Sequence, residues 1–301
     1  MGKASRTKQS VSRQQKIAAQ RAAAKRAEQR RRLLLGGGSV LAVVVIVVVF
    51  VIVKATSNGG SSASSDTVGL SGTSLTSAIN QVTSVPASTL ESVGAGAVSA
   101  KPQSITGNPA ELKENGKPEV LYMGAEYCPY CAAERWAMIV ALSRFGTFTG
   151  LQTMESSSSD VYANTPTWTF LNAKYTSSYL SFSTVEEENR AEKTLQTPTS
   201  AQQALITKYD APPYVQSADA GSIPFVDFGN KYLIVGASYS PQTLDGLSWS
   251  KIATDIQSPD NAVAKAIDGT ANYITAGLCK LTGDAPANVC TSTITSLQSQ
   301  I

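Results

Sequence analysis

The run LLLGGGSVLAVVVIVVVFVIV, Leu33 to Val53, is 21 residues long without a charge, and it limits what the rest of the chain can be. At ~1.5 Å per residue a helix of that length spans the ~30 Å hydrocarbon core of a bilayer. Strands rarely exceed about ten residues, so a single buried strand does not accommodate it. A cleaved signal peptide fits less well, because its apolar region is usually about 7–15 residues and ends at a small-residue cleavage site. The run therefore predicts an uncleaved signal anchor, one N-terminal transmembrane helix over 33–53. Arg30, Arg31 and Arg32 lie directly before it and only Lys54 directly after. The positive-inside rule then places residues 1–32 in the cytoplasm and the C-terminal part outside it.

Charge divides at the same point. Residues 1–32 hold 11 Lys and Arg against the single acid Glu28, whereas from residue 55 onward 13 basic residues face 21 acidic ones, a net of −8. The formal charge of +3 describes neither half. The acidic C-terminal part has no footprint for nucleic acid, and no nucleic-acid partner is expected. The basic arm is rich in helix-forming Ala, Gln, Arg and Lys but has too few apolar residues to bury a face. We read it as a topogenic tail drawn to the anionic lipid bilayer, the alternative being an arm that binds a partner or nucleic acid.

Beyond the anchor, TSNGGSSASSDTVGLSGTS cannot form a core. Residues 54–100 are assigned to a Ser/Gly-rich linker, with a short helix around SLTSAINQVTSV, and 101–301 to one folded domain. In that domain KPEVLYMGA, 117–125, reads as a buried strand entered through the turn ENGKP. A helix follows at once, with Pro129 just inside its start and Trp136, Ile139, Val140 and Phe145 on an apolar stripe. Candidate strands come next at 148–156, 167–175 and 179–187, while EEENRAEK, 186–193, reads as an exposed, charged helix start. A helix over 197–210 capped by Thr197, two strands in 222–240 around an Asp/Gly/Asn turn, and two closing helices complete the domain. That order predicts an α/β fold with a mixed central sheet flanked by helices.

Two of the four cysteines, Cys128 and Cys131, stand in CPYC at the strand-to-helix junction. At a helix N-terminus, backbone N–H groups and the helix dipole favour a thiolate on the first cysteine, and the second lies one turn on. Cys128 is then the nucleophile and Cys131 the resolving thiol. Zinc needs about four ligands, yet the chain has no histidine and its other cysteines, Cys279 and Cys290, lack knuckle spacing. No metal is expected. A structural disulfide within CPYC would close too short a loop to gain much. A domain that binds without exchanging thiols stays open beside the redox reading. Glu126 and Glu134 are the carboxylates near enough in sequence to relay a proton, although each also reads as an ordinary exposed acid. Cys279 and Cys290, with Gly283 and Pro286 between them, read as a structural disulfide joining two terminal helices.

VLYMGAEYCPYC resembles the first active-site strand and redox turn of the thioredoxin superfamily, and its tetrad is the one typical of glutaredoxins. About ninety residues later GSIPFVDFGNKYLIVG resembles that superfamily's second signature, which makes Pro224 the expected cis-proline facing the cysteines. The resemblance implies a thioredoxin-like fold with an inserted segment and extra C-terminal helices, and a client site formed by Pro224, Ile223, Pro129 and Tyr130. Tyr214 and Phe225 would extend it as an apolar surface. The layout of arm, anchor, tether and domain is similar to membrane-anchored thioredoxin-like proteins described as domains of unknown function. Two departures stand out: Tyr122 occupies the place of the superfamily's buried aspartate, and no histidine lies within the tetrad. The expected activity is thiol–disulfide exchange on protein thiols or disulfides of exported proteins, served by an unidentified membrane redox partner and no cofactor. The competing expectation is a redox-inactive binding or assembly module of the cell envelope.

Overall fold

In the computed structural model, residues 69–301 are described. The basic arm, the apolar run 33–53 and the start of the linker lie outside the described residues. Among the described residues no helix is long and apolar enough to cross a membrane.

The fold is built on β3 (Lys117–Gly124). Its run Val120–Met123 is buried on both faces, which is why the sequence there is continuously apolar rather than alternating. β2 (Lys113–Glu114) turns into β3 through Asn115 and Gly116, both at positive φ (50° and 77°), the two-residue hairpin geometry that an Asn-Gly pair adopts most easily. β8 (Ser181–Glu186) runs parallel to β3, pairing Glu119 with Ser181 through Gly124 with Glu186. On the other side β9 (Phe225–Phe228) is antiparallel to β3, β10 (Tyr232–Val235) pairs with β9, and β1 (Gln103–Ser104) closes the edge. This is a mixed sheet, flanked by helices. α3 (Pro129–Ser143), α5 (Trp249–Asp255) and α6 (Ala262–Thr282) share a core with Val120, Tyr122, Val226 and Phe228 on one face. α4 (Ser200–Tyr209) covers Leu121, Met123, Phe225 and Leu233 on the other with Ile206 and Tyr209.

Helix α3 departs from the expected stripe. Thirteen of its 15 residues are buried, because α6 and an inserted segment enclose the face that a surface helix would leave to water. That insertion holds four short strands where two long ones were expected: β4 (Gly146–Thr149), β5 (Gln152–Glu155), β6 (Pro166–Thr169) and β7 (Lys174–Ser177). Gly150, at φ 74°, breaks the first run. β4 pairs with β7 and β5 with β6, so the segment doubles back on itself and presents residues 156–165 at its tip.

Folded structure also begins before residue 101. α1 (Gly72–Thr83) and α2 (Ala87–Val93) bury Ala78, Val82 and Leu90 in the main core, and Asn272 Nδ2 on α6 donates to the carbonyls of Leu90 and Gly94 at 2.7 and 2.8 Å. Burial of that many apolar groups outweighs the Ser/Gly content that suggested a linker. The α4 cap is Thr199, not Thr197; its hydroxyl accepts from the N–H of Gln202 in a capping box. Residues 186–193 form no helix: Glu186 ends β8, and Glu188 bridges Thr194 beyond it. Toward the C-terminus, α7 (Ser292–Leu297) is short, and the Cys279–Cys290 disulfide, with a Cα–Cα distance of 5.7 Å, ties the end of α6 to the turn before α7.

Candidate functional site

β3 ends at Gly124 and α3 begins at Pro129, so the chain turns over Ala125–Cys128 at the end of the central strand. Cys128 is the N-cap of α3. Its Sγ accepts the Cys131 N–H at 3.3 Å and lies 3.7 Å from the Ile223 carbonyl, toward which the thiol can donate. The Ile223–Pro224 peptide is cis and leads directly into β9, the strand beside β3. Ala125, Tyr127, Cys128, Cys131 and Ile223 form a small apolar cluster of their own, with Tyr130 packed against it. Of the residues singled out by sequence, Cys128, Pro129, Tyr130, Cys131, Ile223 and Pro224 are thus brought to one end of the sheet. Phe225 is not part of that surface. It is fully buried under α4, because on β9 it faces opposite to the turn's surroundings, and Tyr214 instead packs edge-on to Tyr209 and takes the Thr106 N–H.

Both thiols are free and buried, Cys128 at 5% exposure and Cys131 at 0%. Burial pushes the Cys128 thiol up, but hydrogen bonding from Cys131 and the charge of Arg135 outweigh it, so its pKa lies below the ordinary thiol value. Asp160, on the inserted loop, opposes that shift. For Cys131, burial and the neighbouring Cys128 act in the same upward direction against Arg135, and the thiol is held well above its usual range. The two thiols are thus shifted in opposite directions, Cys128 toward the thiolate and Cys131 toward the thiol.

Beneath the turn is a charged cluster that sequence reading did not find. Arg135 and Glu186 are both fully buried and pair through two bonds, Nε to Oε1 at 3.0 Å and Nη2 to Oε2 at 2.6 Å. Arg135 Nη2 also donates to the Ala125 carbonyl at 2.9 Å, which ties the cation to the turn itself. The Phe170 N–H donates to Glu186 Oε1 at 3.2 Å. Burial alone would depress the guanidinium; the Glu186 carboxylate outweighs it and keeps Arg135 charged. The guanidinium lies 5.6 Å from the ring centre of Tyr122, whose hydroxyl is buried and has no hydrogen-bond partner among the described residues. A Cβ added to Gly124 would overlap that hydroxyl and stand 3.0 Å from Cys131 Sγ. Only glycine leaves room there for both groups.

The two expected relay acids differ from their reading as exposed residues. Glu134 is fully buried and turned to Ser238, whose N–H and hydroxyl donate to its two oxygens at 2.8 and 3.1 Å. Burial, only partly offset by Ser238, raises it to about 7. Glu126 is half-buried, accepts from the Thr169 hydroxyl at 2.7 Å, and is raised chiefly by burial. It borders the Arg135–Glu186 pair electrostatically. The tip of the insertion reaches the turn as well: the Ser157 N–H donates to the Tyr127 carbonyl at 2.8 Å, and Tyr162 packs edge-on to Tyr130 at 6.0 Å. Alongside lies an open cleft of about 340 Å³ lined by Ser157–Ser159 and Arg190–Glu192. The sequence carries no distinct signal for the hidden pair: Arg135 follows Glu134 within AAERWAMIV, and Glu186 opens the acidic run EEE at 186–188.

A family model described as a domain of unknown function (DUF929) matches residues 103–280, which takes in the whole central sheet and the turn. No curated protein matches the chain, and no solved structure matches it.

Proposed function

Since the chain belongs to the DUF929 family of domains of unknown function, whose description carries no activity, we propose from its site that it is a thiol–disulfide oxidoreductase working through Cys128 and Cys131. The observation that carries this is the polarised pair: an acid-shifted, helix-capping Cys128 one turn from a protonated Cys131, facing the Ile223 carbonyl. The reading includes membership of the thioredoxin superfamily. It is supported by the strand order β8–β3–β9–β10, with β3–α3–β8 a parallel crossover and β9–β10–α6 following as an antiparallel hairpin and helix. It is also supported by a cis proline that adjoins the cysteines in space.

In the oxidising direction, a substrate thiolate attacks the Cys128 sulfur of the closed pair, and Cys131 leaves. In the reducing direction, the Cys128 thiolate attacks a substrate disulfide and Cys131 closes on Cys128 to release the product. Ile223, Pro224, Pro129 and Tyr130 form the surface that a client chain meets. The apolar run 33–53 anchors the protein in the membrane with the folded domain outside the cytoplasm, where exported proteins are the clients and a membrane redox protein recharges the pair. The Cys279–Cys290 disulfide suits such an oxidising compartment.

One observation favours the second reading, a redox-inactive binding module: Cys128 is only 5% exposed. Equilibrating the full-length chain in glutathione redox buffers, with alkylation and mass spectrometry of each cysteine pair, separates the two. Exchange chemistry predicts that Cys128–Cys131 opens and closes near a mid-range potential of about −180 to −230 mV while Cys279–Cys290 stays closed. A CPYC pair that cannot be cycled leaves the binding module.

A further inference from the structure

Tyr122 is the unexplained group of this site. A tyrosine hydroxyl buried without a partner gives up its hydrogen bonds to water for nothing in return, and here it belongs to a residue of the central strand, next to a sulfur that the proposed chemistry must ionise. Four observations converge on it. The hydroxyl and Cys131 Sγ crowd the same space over Gly124, where a side chain would collide with both. The hydroxyl has no hydrogen-bond partner among the described residues, and neither has Arg135 Nη1. The Arg135 guanidinium lies over the Tyr122 ring and is fixed by Glu186 and the Ala125 carbonyl. Phe170, edge-on to Tyr122 at 5.1 Å, holds the ring in place. Burial keeps the phenol protonated far above neutral pH, so this hydroxyl can donate a hydrogen bond but cannot act as a base.

We propose that Tyr122 and Arg135 form the pocket that receives the Cys131 thiolate during resolution of a mixed disulfide, Tyr122 as its hydrogen-bond donor and Arg135 as its fixed positive charge. The inference rests on the exchange reading above and assigns its second step. In the resting dithiol, Cys131 is a thiol and makes no demand on the hydroxyl. Once Cys128 has formed a disulfide with a partner sulfur, the Cys128 charge that disfavoured ionisation of Cys131 is gone. Cys131 then loses its proton, and the Tyr122 hydroxyl and the guanidinium stabilise the sulfur anion. That anion attacks Cys128 Sγ: the Cys128–Cys131 bond forms, the bond to the partner sulfur breaks, and the partner departs as a thiolate that takes up the proton. The dithiol is oxidised by two electrons and the partner disulfide is reduced by two. The ionisable groups around Cys131 are Cys128 at the N-cap of α3, Arg135 on α3, Tyr122 on β3 and Glu186 on β8, with Asp160 of the inserted loop acting on Cys128.

The test follows oxidation of the reduced full-length chain by glutathione disulfide, sampled by acid quench and mass spectrometry from pH 5 to 9. This separates formation of the Cys128–glutathione adduct from its collapse. Tyr122→Phe removes only the unpartnered hydroxyl, so the fold is kept. The expected result is unchanged adduct formation with collapse slowed about 10- to 100-fold, the range for losing one hydrogen bond to a charged group. The pH midpoint of collapse should rise as well. A role limited to packing would move neither. Equal collapse rates and midpoints in the two proteins overturn the Tyr122 assignment and leave the exchange reading intact. Failure of the wild-type chain to form an adduct or a disulfide overturns both.

Discussion

Cys279 and Cys290 close a loop between two helices and belong to the main core, with Leu278, Val289 and Ile294 in the same cluster. Cys128 and Cys131 sit three residues apart over a buried cation, a buried carboxylate and a buried phenol. The first pair asks only for two Cβ atoms at bonding distance, and apolar surroundings serve it well. The second pair is surrounded by groups that distinguish a thiol from a thiolate, and those groups cost the fold something to keep. An ion pair taken out of water loses several kcal/mol of hydration per ion, which its own attraction repays only with good geometry. The Arg135–Glu186 pair meets that condition with two bonds and a third to the turn. Such an expense is consistent with the exchange proposed at CPYC, whereas among the described residues no fully buried ion pair lies at the Cys279–Cys290 disulfide.

The largest expected effect breaks the charged half of this contrast. Glu186→Gln leaves Arg135 as a lone buried cation, and removing one partner of a buried pair typically costs about 3–5 kcal/mol. Urea unfolding of the variant should show that loss. The double variant Arg135→Met with Glu186→Leu should recover most of it. If the double variant is as unstable as the single one, the pair is needed for the fold itself and the contrast with Cys279–Cys290 weakens.

Next in size is the other half. With a sequence separation of 11, opening the terminal disulfide by Cys279→Ser and Cys290→Ser together should cost about 3 kcal/mol in the chain-entropy account. The reactivity of Cys128 toward alkylation should not change. Cys128→Ser should give the reverse pattern, with all exchange lost and stability within about 1 kcal/mol of wild type. Any variant that moves both readouts together would show that the two pairs are coupled through α3 and α6.

Local signals made much of this readable in advance. VLYM, the Asn115–Gly116 turn, Pro129 after Cys128 and the β9–β10 hairpin each follow from residues adjacent in the chain. The insertion and the early helices were harder because their reasons lie elsewhere. α1 is ordered by burying Ala78 and Val82 in the main core, and the insertion's strands pair in nested order across Gly150. Arg135 and Glu186 are 51 residues apart and meet only because β8 crosses over to lie parallel to β3. No spacing rule pairs them. For the same reason Glu134 looked like an exposed helix acid: the surface that covers it comes from Ser238, 104 residues later.

The smallest effect concerns pH and bears on the thiols alone. Cys128 has a pKa below that of an unfolded cysteine, so the folded state binds fewer protons than the unfolded one between the two values, and stability rises with pH across that window. The stabilisation is fully present above the unfolded value, about 8.5, and is lost as pH falls through the folded one. Cys131, raised by burial, contributes in the opposite sense, and only above the ordinary thiol range. As pH rises toward the unfolded thiol value, the reduced wild-type chain should therefore gain stability relative to Cys128→Ser. The oxidised chain, in which neither sulfur of the tetrad titrates, should show no such gain. The terminal pair titrates in neither state while its bond stays closed, so Cys279→Ser with Cys290→Ser should leave the slope untouched. A flat difference between reduced wild type and Cys128→Ser would mean that Cys128 holds its proton through neutral pH. The polarised pair at the centre of the comparison would then be gone.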